Sequence, residues 1–142
     1  MTYLTESPLD LTRLLARVHG ADRGGIASFL GVVRSHHQGR GVLRLAYSAY
    51  PEMAEAECAR IVAEAETRWP VQVALEHRLG TLETGEAAVA VVVAGAHREE
   101  AFAACRHVIE ELKRRVPIWK REEFADGGVD WVGAEGAGAE SQ

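Results

Sequence analysis

Cysteine is scarce in this chain: Cys58 and Cys105 are the only two in 142 residues, and no Cys-x-x-Cys spacing occurs. This scarcity excludes a disulfide framework and indicates reduced core residues of a cytoplasmic protein. Long apolar runs are also missing, because the longest, residues 87–96, has about half the length of a membrane-spanning helix. The N-terminus lacks a positively charged start followed by an apolar segment, so no secretory signal is expected.

The chain also lacks the charge balance and the motifs of several common binding proteins. Sixteen basic residues against 21 acidic ones give a net charge of −5, which argues against a nucleic-acid-binding surface. No Gly-Lys-Ser/Thr phosphate loop and no Gly-x-Ser-x-Gly nucleophile motif is present. The six histidines show no metal-ligand spacing, so His36 and His37 are interpreted as a solvated loop pair and no metal site is expected.

What is present indicates one soluble α+β domain. Apolar residues make up 47% of the chain and charged residues 26%, as in a globular protein. Their periodicity predicts three helices and a largely antiparallel sheet, in the order α-β-β-α-β-β-α-β-β. We expect a single domain over residues 1–132 and a flexible, low-complexity tail over residues 133–142. The predicted elements are a helix from about Ser7 to Gly20, strands over 26–33 and 42–50, a helix from Pro51 to about Trp69, strands over 71–79 and 87–96, a helix over about 98–115, and strands over 118–122 and 129–132.

The sequence also predicts several details of these elements. Ser7 and Pro8 suit the N-cap and the first position of a helix. Residues 26–33 and 87–96 are apolar enough to predict buried strands, the second covered on both faces. Residues 35–41 are polar and rich in glycine, which predicts a mobile loop. Helical spacing predicts that two helices bury Met53, Ala56, Ile61 and Ala65 in one case, and Phe102, Cys105, Ile109, Leu112 and Val116 in the other.

Positive charge is concentrated in one short segment of this acidic chain. Residues 113–121 hold five cations and no acid, and they include Lys113 and Lys120, the only lysines in the sequence. A lysine amine can lose a proton, attack a carbonyl carbon or transfer a proton, whereas an arginine guanidinium stays charged. The two lysines are therefore candidates for chemistry. A solvated basic helix end that stabilises its own dipole is the alternative, and the residues alone leave both open.

Two further positions are suited to binding an anion. His97 and Arg98 lie where a buried strand ends and a helix begins, so backbone N–H groups, an imidazole and a guanidinium meet there. A histidine that caps the helix beside a solvated arginine explains the same pair equally well. Arg34 also follows a buried strand, at the start of the glycine-rich loop, where ligand-binding groups are common.

A series of short motifs runs in a fixed order along most of the chain, between residues 24 and 132. They are Gly31-Val32-Val33-Arg34, Tyr50-Pro51-Glu52-Met53-Ala54, His77-Arg78-Leu79-Gly80, Gly85-Glu86, His97-Arg98-x-x-Ala101-Phe102 and Leu112-Lys113-x-x-x-Pro117-Ile118-Trp119-Lys120-Arg121-Glu122, then Asp126-Gly127 and Trp131-Val132. In this order they closely resemble the large, catalytic subunit of molybdopterin synthase. The resemblance implies an α/β-hammerhead-like fold. Ser48 departs from it, because the family usually carries a larger polar residue there.

The resemblance implies a sulfur-transfer reaction in molybdenum cofactor biosynthesis. That family converts cyclic pyranopterin monophosphate into molybdopterin by adding two sulfurs as a dithiolene. The sulfur comes from the C-terminal Gly-Gly thiocarboxylate of a small ubiquitin-like carrier subunit, and the implied assembly is a homodimer within a heterotetramer. No cofactor is implied, and neither nucleic acid nor a membrane is an expected partner.

By the same resemblance, Lys113 and Lys120 are the catalytic pair. Lys113 is expected nearest the incoming thiocarboxylate, and Lys120 at the pterin side chain, where it transfers a proton and stabilises charge. Like charge from the neighbouring Arg114, Arg115 and Arg121 is expected to favour the neutral amines. The substrate-binding residues that the resemblance implies are Val32, Val33, Arg34, His97, Arg98, Lys113, Lys120, Arg121 and Glu122.

One distance bears on how such a site is assembled. Arg98 and Lys113 are fifteen residues apart, so on one straight helix they are separated by roughly 22 Å. A pterin phosphate cannot bridge that distance, and we therefore expect His97 and Arg98 to reach the site from a second copy of the chain. Two alternatives to catalysis stay open: an adaptor that binds a Gly-Gly tail, and a binding module for a phosphorylated metabolite.

Overall fold

Apolar residues at helical spacing and at strand spacing alternate along the chain, and the secondary structure follows them. The computed structural model describes residues 1–133, which hold three helices and nine strands. The elements are β1 (Leu4–Thr5), α1 (Leu11–Val18), β2 (Gly25–Val32), β3 (His36–His37), β4 (Arg40–Ala49), α2 (Pro51–Arg68), β5 (Val71–Arg78), β6 (Gly80–Glu83), β7 (Ala87–Gly95), α3 (Arg98–Arg115), β8 (Ile118–Phe124) and β9 (Val129–Val132). The predicted α+β class with mostly antiparallel strands is confirmed. Apart from Gly133, the predicted tail lies outside the described residues.

The strands form two sheets. One has four strands in the order β1-β5-β7-β2, with β1 parallel to β5 and the other pairs antiparallel. The other has the order β3-β4-β8-β9, and β6 also pairs with β4. Helices α2 and α3 pack on one face of the four-stranded sheet, and α1 packs on the other. Strand β7 is therefore covered on both faces, as predicted.

The first helix begins later than the sequence predicts. Its N-cap is Asp10, whose carboxylate accepts hydrogen bonds from the N–H groups of Thr12 and Arg13. Ser7 and Pro8 precede the helix. Aspartate and serine are about equally favourable N-cap residues, so the sequence is compatible with a helix that begins after Ser7 or after Asp10. The predicted N-cap, Ser7, is wrong.

Near the N-terminal ends of α2 and α3, the buried residues differ from those predicted. Met53 and Ala56 of α2 and Phe102 of α3 are exposed, whereas the predicted Ile61, Ala65, Cys105, Ile109 and Leu112 are buried. The small neighbours Ala54 and Ala101 face the sheet instead. Alanines there let the helix backbones approach the strands closely, and an alanine carries little hydrophobic signal in a sequence.

The edge of the four-stranded sheet differs most from expectation. Strand β2, predicted to be buried, is the last strand of its sheet, and its Ile26, Leu30 and Val32 are 42%, 40% and 48% exposed. The loop predicted over residues 35–41 contains strand β3, which pairs with the start of β4. Gln38 and Gly39 make the tight turn with positive φ angles of 53° and 78°. Residues 36–41 are thus a short hairpin.

Both cysteines lie in the core between the helices and the sheet, as expected. Burial raises the pKa of the Cys58 thiol to about 12 and that of the Cys105 thiol to about 11. A thiol with such a pKa is not a thiolate at neutral pH and is a poor nucleophile.

Candidate active site

A cavity of about 290 Å³ opens where the two sheets meet the C-terminal end of α3. Residues of β2, β4, β7 and β8 contribute most of its wall, together with β3 and the last turn of α3. Side chains alternate between the two faces of a strand, so β8 directs every second residue into the cavity: Ile118, Lys120 and Glu122. Lys113 enters from the end of α3, and Arg34 from the segment that follows β2.

Six of the nine predicted substrate-binding residues line this cavity, and they are Val32, Val33, Arg34, Lys113, Lys120 and Glu122. Arg121 is not among the residues that line it. It lies between Lys120 and Glu122 on β8 and therefore points to the opposite face. There its guanidinium pairs with Glu123 at 3.0 Å and lies 6.0 Å from the ring of Trp131.

His97 and Arg98 are also absent from the cavity wall, because they lie at the other end of α3. His97 precedes the helix, and its side chain is 83% exposed. Its backbone N–H donates to Glu100 at 3.0 Å, and its Nδ1 lies 3.1 Å from the same carboxylate oxygen. Within one chain His97 therefore acts as a capping residue, and the pair cannot complete the cavity unless a second chain supplies it.

The five cations of residues 113–121 do not form one basic patch. Arg115 donates to Glu57 at 2.8 Å, to Glu64 at 2.7 and 2.9 Å, and to Glu111 at 3.1 Å. Arg114 also donates to Glu111. These arginines are paired with glutamates on α2 and α3. The two lysines lie in the cavity instead, which favours the interpretation that they take part in chemistry.

The Lys113 amine has a pKa below its usual value. Burial is the largest cause, followed by the positive charges of Lys120 and Arg34. The expected direction is right, but the expected cause is wrong, since Arg114 and Arg115 are paired with glutamates. A lowered pKa increases the neutral fraction of an amine, and only the neutral amine can act as a nucleophile or a base.

Two buried side chains of the cavity were not predicted as site residues. His77 donates its Nδ1 hydrogen to the carbonyl oxygen of Arg78 at 2.8 Å, and burial lowers the pKa of its ring to about 4. Tyr47 packs edge-on against it, with ring centroids 4.9 Å apart, and burial raises the pKa of the phenol to about 12. Both groups are therefore neutral at neutral pH. Alternation along β5 places His77 on the face of Leu75 and Val73, a signal that could have found it.

His37 is a third unpredicted residue of the cavity. Its Nδ1 lies 2.9 Å from each carboxylate oxygen of Glu122, and its side chain is only 10% exposed. The interpretation of His36 and His37 as a solvated pair is therefore wrong for His37. His36 is exposed, with Nδ1 3.1 Å from the Ser35 hydroxyl. Since 85 residues separate His37 from Glu122, no local pattern could have revealed their contact.

The match to known families covers most of this architecture. A family model described as MoaE protein matches residues 4–115, a range that contains all three helices and strands β1 to β7. The chain belongs to the MoaE protein family. This result confirms the resemblance that the ordered motifs indicated.

Individual relatives of the MoaE family agree with the family match. Molybdopterin synthase catalytic subunit 1 of Mycobacterium tuberculosis is 46% identical over 131 residues, which cover 92% of this chain and 88% of the relative. The molybdopterin synthase catalytic subunit of Pyrococcus abyssi is 46% identical over 132 residues, with coverages of 91% and 88%. The crystal structure of molybdopterin synthase from Staphylococcus aureus superposes with a TM-score of 0.87 at 32% identity and covers 92% of this chain and 95% of its own.

The described part of this MoaE-family chain holds neither a metal cluster nor a membrane helix. No three His, Cys, Asp or Glu side chains among residues 1–133 come close enough together to hold a metal ion. Within the same range, no helix combines the length and the apolar character that crossing a bilayer requires.

Proposed function

We propose that this chain is the catalytic subunit of a molybdopterin synthase, a sulfurtransferase that converts cyclic pyranopterin monophosphate into molybdopterin. The observation that carries the proposal is the meeting of Lys113 and Lys120, the only lysines of the sequence, in one cavity with Arg34 and Glu122. The names of the relatives at 46% identity support the same activity. A cytoplasmic location remains a prediction from the sequence.

The cavity has the charge that this reaction requires. Both the phosphate of the pterin and the thiocarboxylate of a carrier subunit are anions, and Arg34 and the two lysines offer them cationic donors. Lys113, with its lowered pKa, polarises the acyl group of the thiocarboxylate or attacks its carbon as a nucleophile. In the second case the C–S bond breaks, the sulfur passes to the pterin, and water then releases the acyl group from the lysine as a carboxylate. Lys120 stabilises charge on the pterin side chain and transfers a proton there. Neither cysteine lines the cavity, which fits sulfur delivered by a partner, and we propose that this partner is a small ubiquitin-like carrier ending in Gly-Gly.

The complete site is composite, we propose, with His97 and Arg98 supplied by a second copy of the chain. Strand β2 begins beside the start of α3, where the Gly25 backbone approaches the backbone of Arg98. It ends at Val32, which lines the cavity. The eight residues of β2 span roughly 26 Å, close to the length of α3 between Arg98 and Lys113.

A two-fold dimer built along β2 solves the distance problem. Antiparallel placement of two β2 strands brings the Gly25 end of one copy to the Val32 end of the other. The exposed apolar side chains Ile26, Leu30 and Val32 on this edge, and Phe102 on α3, give such a dimer a surface to bury. Each partner then brings Arg98 to the cavity of the other copy, and the implied homodimer carries two equivalent sites.

The function is tested by reconstitution. The purified chain is mixed with a thiocarboxylated carrier protein and cyclic pyranopterin monophosphate, and dithiolene product is measured. Product formation that requires both partners is the expected result. Absence of product, with binding of the carrier retained, contradicts the enzyme assignment and favours an adaptor. Stabilisation by phosphate without any dependence on a carrier favours a metabolite-binding module.

The composite site is tested by mixing two inactive variants. Arg98→Ala and Lys113→Ala chains are co-expressed, and mixed dimers are isolated through two different affinity tags. We expect part of the activity to return, because a mixed dimer contains one intact site. Mixed dimers that form and show no recovery exclude a site shared between chains.

A further inference from the structure

The Glu122 carboxylate is held by a histidine to which the sulfur-transfer reaction assigns no role. His37 Nδ1 lies 2.9 Å from both carboxylate oxygens, and the side chains of His37 and Glu122 are 10% and 4% exposed. An ionised carboxylate only accepts hydrogen bonds, so Nδ1 carries the hydrogen and donates it. A charge-assisted hydrogen bond at a site so well shielded from solvent strongly restrains the orientation of the carboxylate.

The backbone around His37 is as well defined as its side chain. His37 pairs with Arg40 in the two-residue hairpin of β3 and β4, closed by the Gln38–Gly39 turn. Strand β4 also pairs with β8, which carries Glu122 opposite Leu45. Histidine and carboxylate thus come from two strands that share β4 as a neighbour, so the contact is built into the sheet.

The carboxylate of Glu122 lies in a cavity whose other charged side chains are mostly positive. Arg34, Lys113 and Lys120 line the same cavity, and Lys120 is two residues from Glu122 on the same face of β8. A buried carboxylate that loses one partner takes another, because leaving it unpaired is costly. A lysine that pairs with Glu122 is held in its charged form and is no longer available as a nucleophile or proton acceptor.

We propose that His37 is a positioning residue of the sulfur-transfer site: by holding Glu122, it keeps the carboxylate directed and keeps Lys113 available for the reaction. The inference rests on the proposed function. Removing His37 is expected to lower kcat, since Glu122 then becomes able to pair with Lys113. Little change is expected in the KM for the carrier subunit, since His37 acts through Glu122.

Three variants test this role. His37→Leu removes the donor and is expected to lower kcat about tenfold, the effect of losing one charge-assisted hydrogen bond. His37→Asn places an amide N–H near the position of Nδ1 and is expected to restore most of the activity. Arg40→Gln is the matched control, because Arg40 faces His37 in the hairpin but donates to Asp126, outside the cavity. We expect wild-type kcat for this control.

A double-mutant cycle shows whether His37 acts through Glu122. In the Glu122→Gln background, His37→Leu is expected to cause no further loss, because the carboxylate that His37 directs is already gone. Equal losses in both backgrounds overturn the proposal. Thermal unfolding verifies that each variant is folded, and His37→Ala, which also removes the donor, replaces His37→Leu if that variant does not fold.

Failure of the inference and failure of the proposed function are distinguishable. A wild-type chain that forms no dithiolene contradicts the function, whatever His37 does. A wild-type chain that turns over beside a His37→Leu variant with unchanged kcat overturns the positioning role. An independent measurement needs no turnover: the carboxyl carbon resonance of Glu122, followed by ¹³C NMR, is expected to shift in His37→Leu, and an unchanged resonance also overturns the inference.

Discussion

Replacing Arg115 by methionine tests whether the arginines at the end of α3 stabilise the fold while the lysines of residues 113–121 take part in the reaction. The Arg115 side chain is 19% exposed and joins α3 to α2 through Glu57 and Glu64, with a further bond to Glu111 on its own helix. Methionine keeps an apolar side chain against the helix but removes every hydrogen bond. Arg114→Met is the matched control, because Arg114 is 68% exposed and pairs with Glu111 within one helix turn.

The expected loss of stability follows from these contacts. Hydrogen bonds to charged groups contribute about 1.5–3 kcal/mol each when well protected, and exposed pairs contribute far less. Glu57 and Glu111 are 20% and 19% exposed and should contribute most, whereas Glu64 is 46% exposed and is screened by water. We expect Arg115→Met to lower the free energy of unfolding by roughly 2 kcal/mol and the Tm by roughly 7 °C, and Arg114→Met by under about 0.5 kcal/mol.

The expected loss of stability in Arg115→Met depends on pH and on salt concentration. The guanidinium of Arg115 lowers the pKa values of Glu57 and Glu64. The pKa of Glu111 is lowered mainly by Arg114 and to a smaller extent by Arg115. Carboxylates with lowered folded pKa values stabilise the protein above their unfolded pKa, and this contribution disappears as the pH falls through the folded values. The difference between wild type and Arg115→Met is therefore expected to shrink below the ordinary glutamate pKa of 4.5. It is also expected to shrink at high salt.

The assay is thermal and urea unfolding of both variants, together with dithiolene formation per folded molecule. Arg115→Met should keep wild-type activity per folded molecule, because Arg115 does not line the cavity. Equal Tm values for the two arginine variants refute the ion-pair assignment. Loss of activity in a folded Arg115→Met variant refutes the claim that Arg115 stabilises the fold without taking part in the reaction.

Three further predictions concern the rest of the fold. Burial lowers the pKa of His77 from 6.5 to about 4, so between these pH values the histidine binds a proton only in the unfolded chain. The free energy of unfolding is therefore expected to fall by up to about 3 kcal/mol as the pH drops from 6.5 to 4. Urea unfolding at several pH values should show that His77→Phe lacks this pH-dependent loss. Leu75→Ala leaves a cavity under the helices at a fully buried position and is expected to lower the free energy of unfolding by about 3–4 kcal/mol; a loss under about 1 kcal/mol contradicts the packing described. The Glu55 carboxylate accepts from the N–H groups of residues 2–4, so Glu55→Gln should accelerate hydrogen exchange of those amides and leave the exchange of β7 unchanged.

Elements with strong periodicity and clear end signals could be predicted from the sequence. Helix α3 forms over residues 98–115 as expected, because Gly95 and Pro117 bracket a long pattern of inward-facing residues. Lys113, Lys120 and Glu122 were found through their motif, and the cavity brings them together. Alternation along β8 also places Arg121 on the opposite face from Lys120 and Glu122, and this could be read from the sequence.

Other features depend on contacts between distant segments or on the environment of an edge strand. His37 meets Glu122 across 85 residues, and Arg115 meets Glu57 across 58. An apolar strand such as β2 has the same sequence pattern whether a neighbouring layer, a second chain or nothing covers it, so its exposure could not be predicted. Phe102 and Met53 follow the same principle, because helical spacing does not say which of two adjacent apolar residues faces the sheet.

The central claim is that a lysine amine, and not merely positive charge, acts in the cavity. Lys113→Arg tests it most directly, because arginine keeps the charge but offers no amine that can lose its proton. The variant is assayed for dithiolene formation with a thiocarboxylated carrier and cyclic pyranopterin monophosphate, beside Arg114→Lys as a folded control outside the cavity. We expect no turnover for Lys113→Arg at wild-type stability and normal turnover for the control. Near-normal turnover in Lys113→Arg contradicts the central claim.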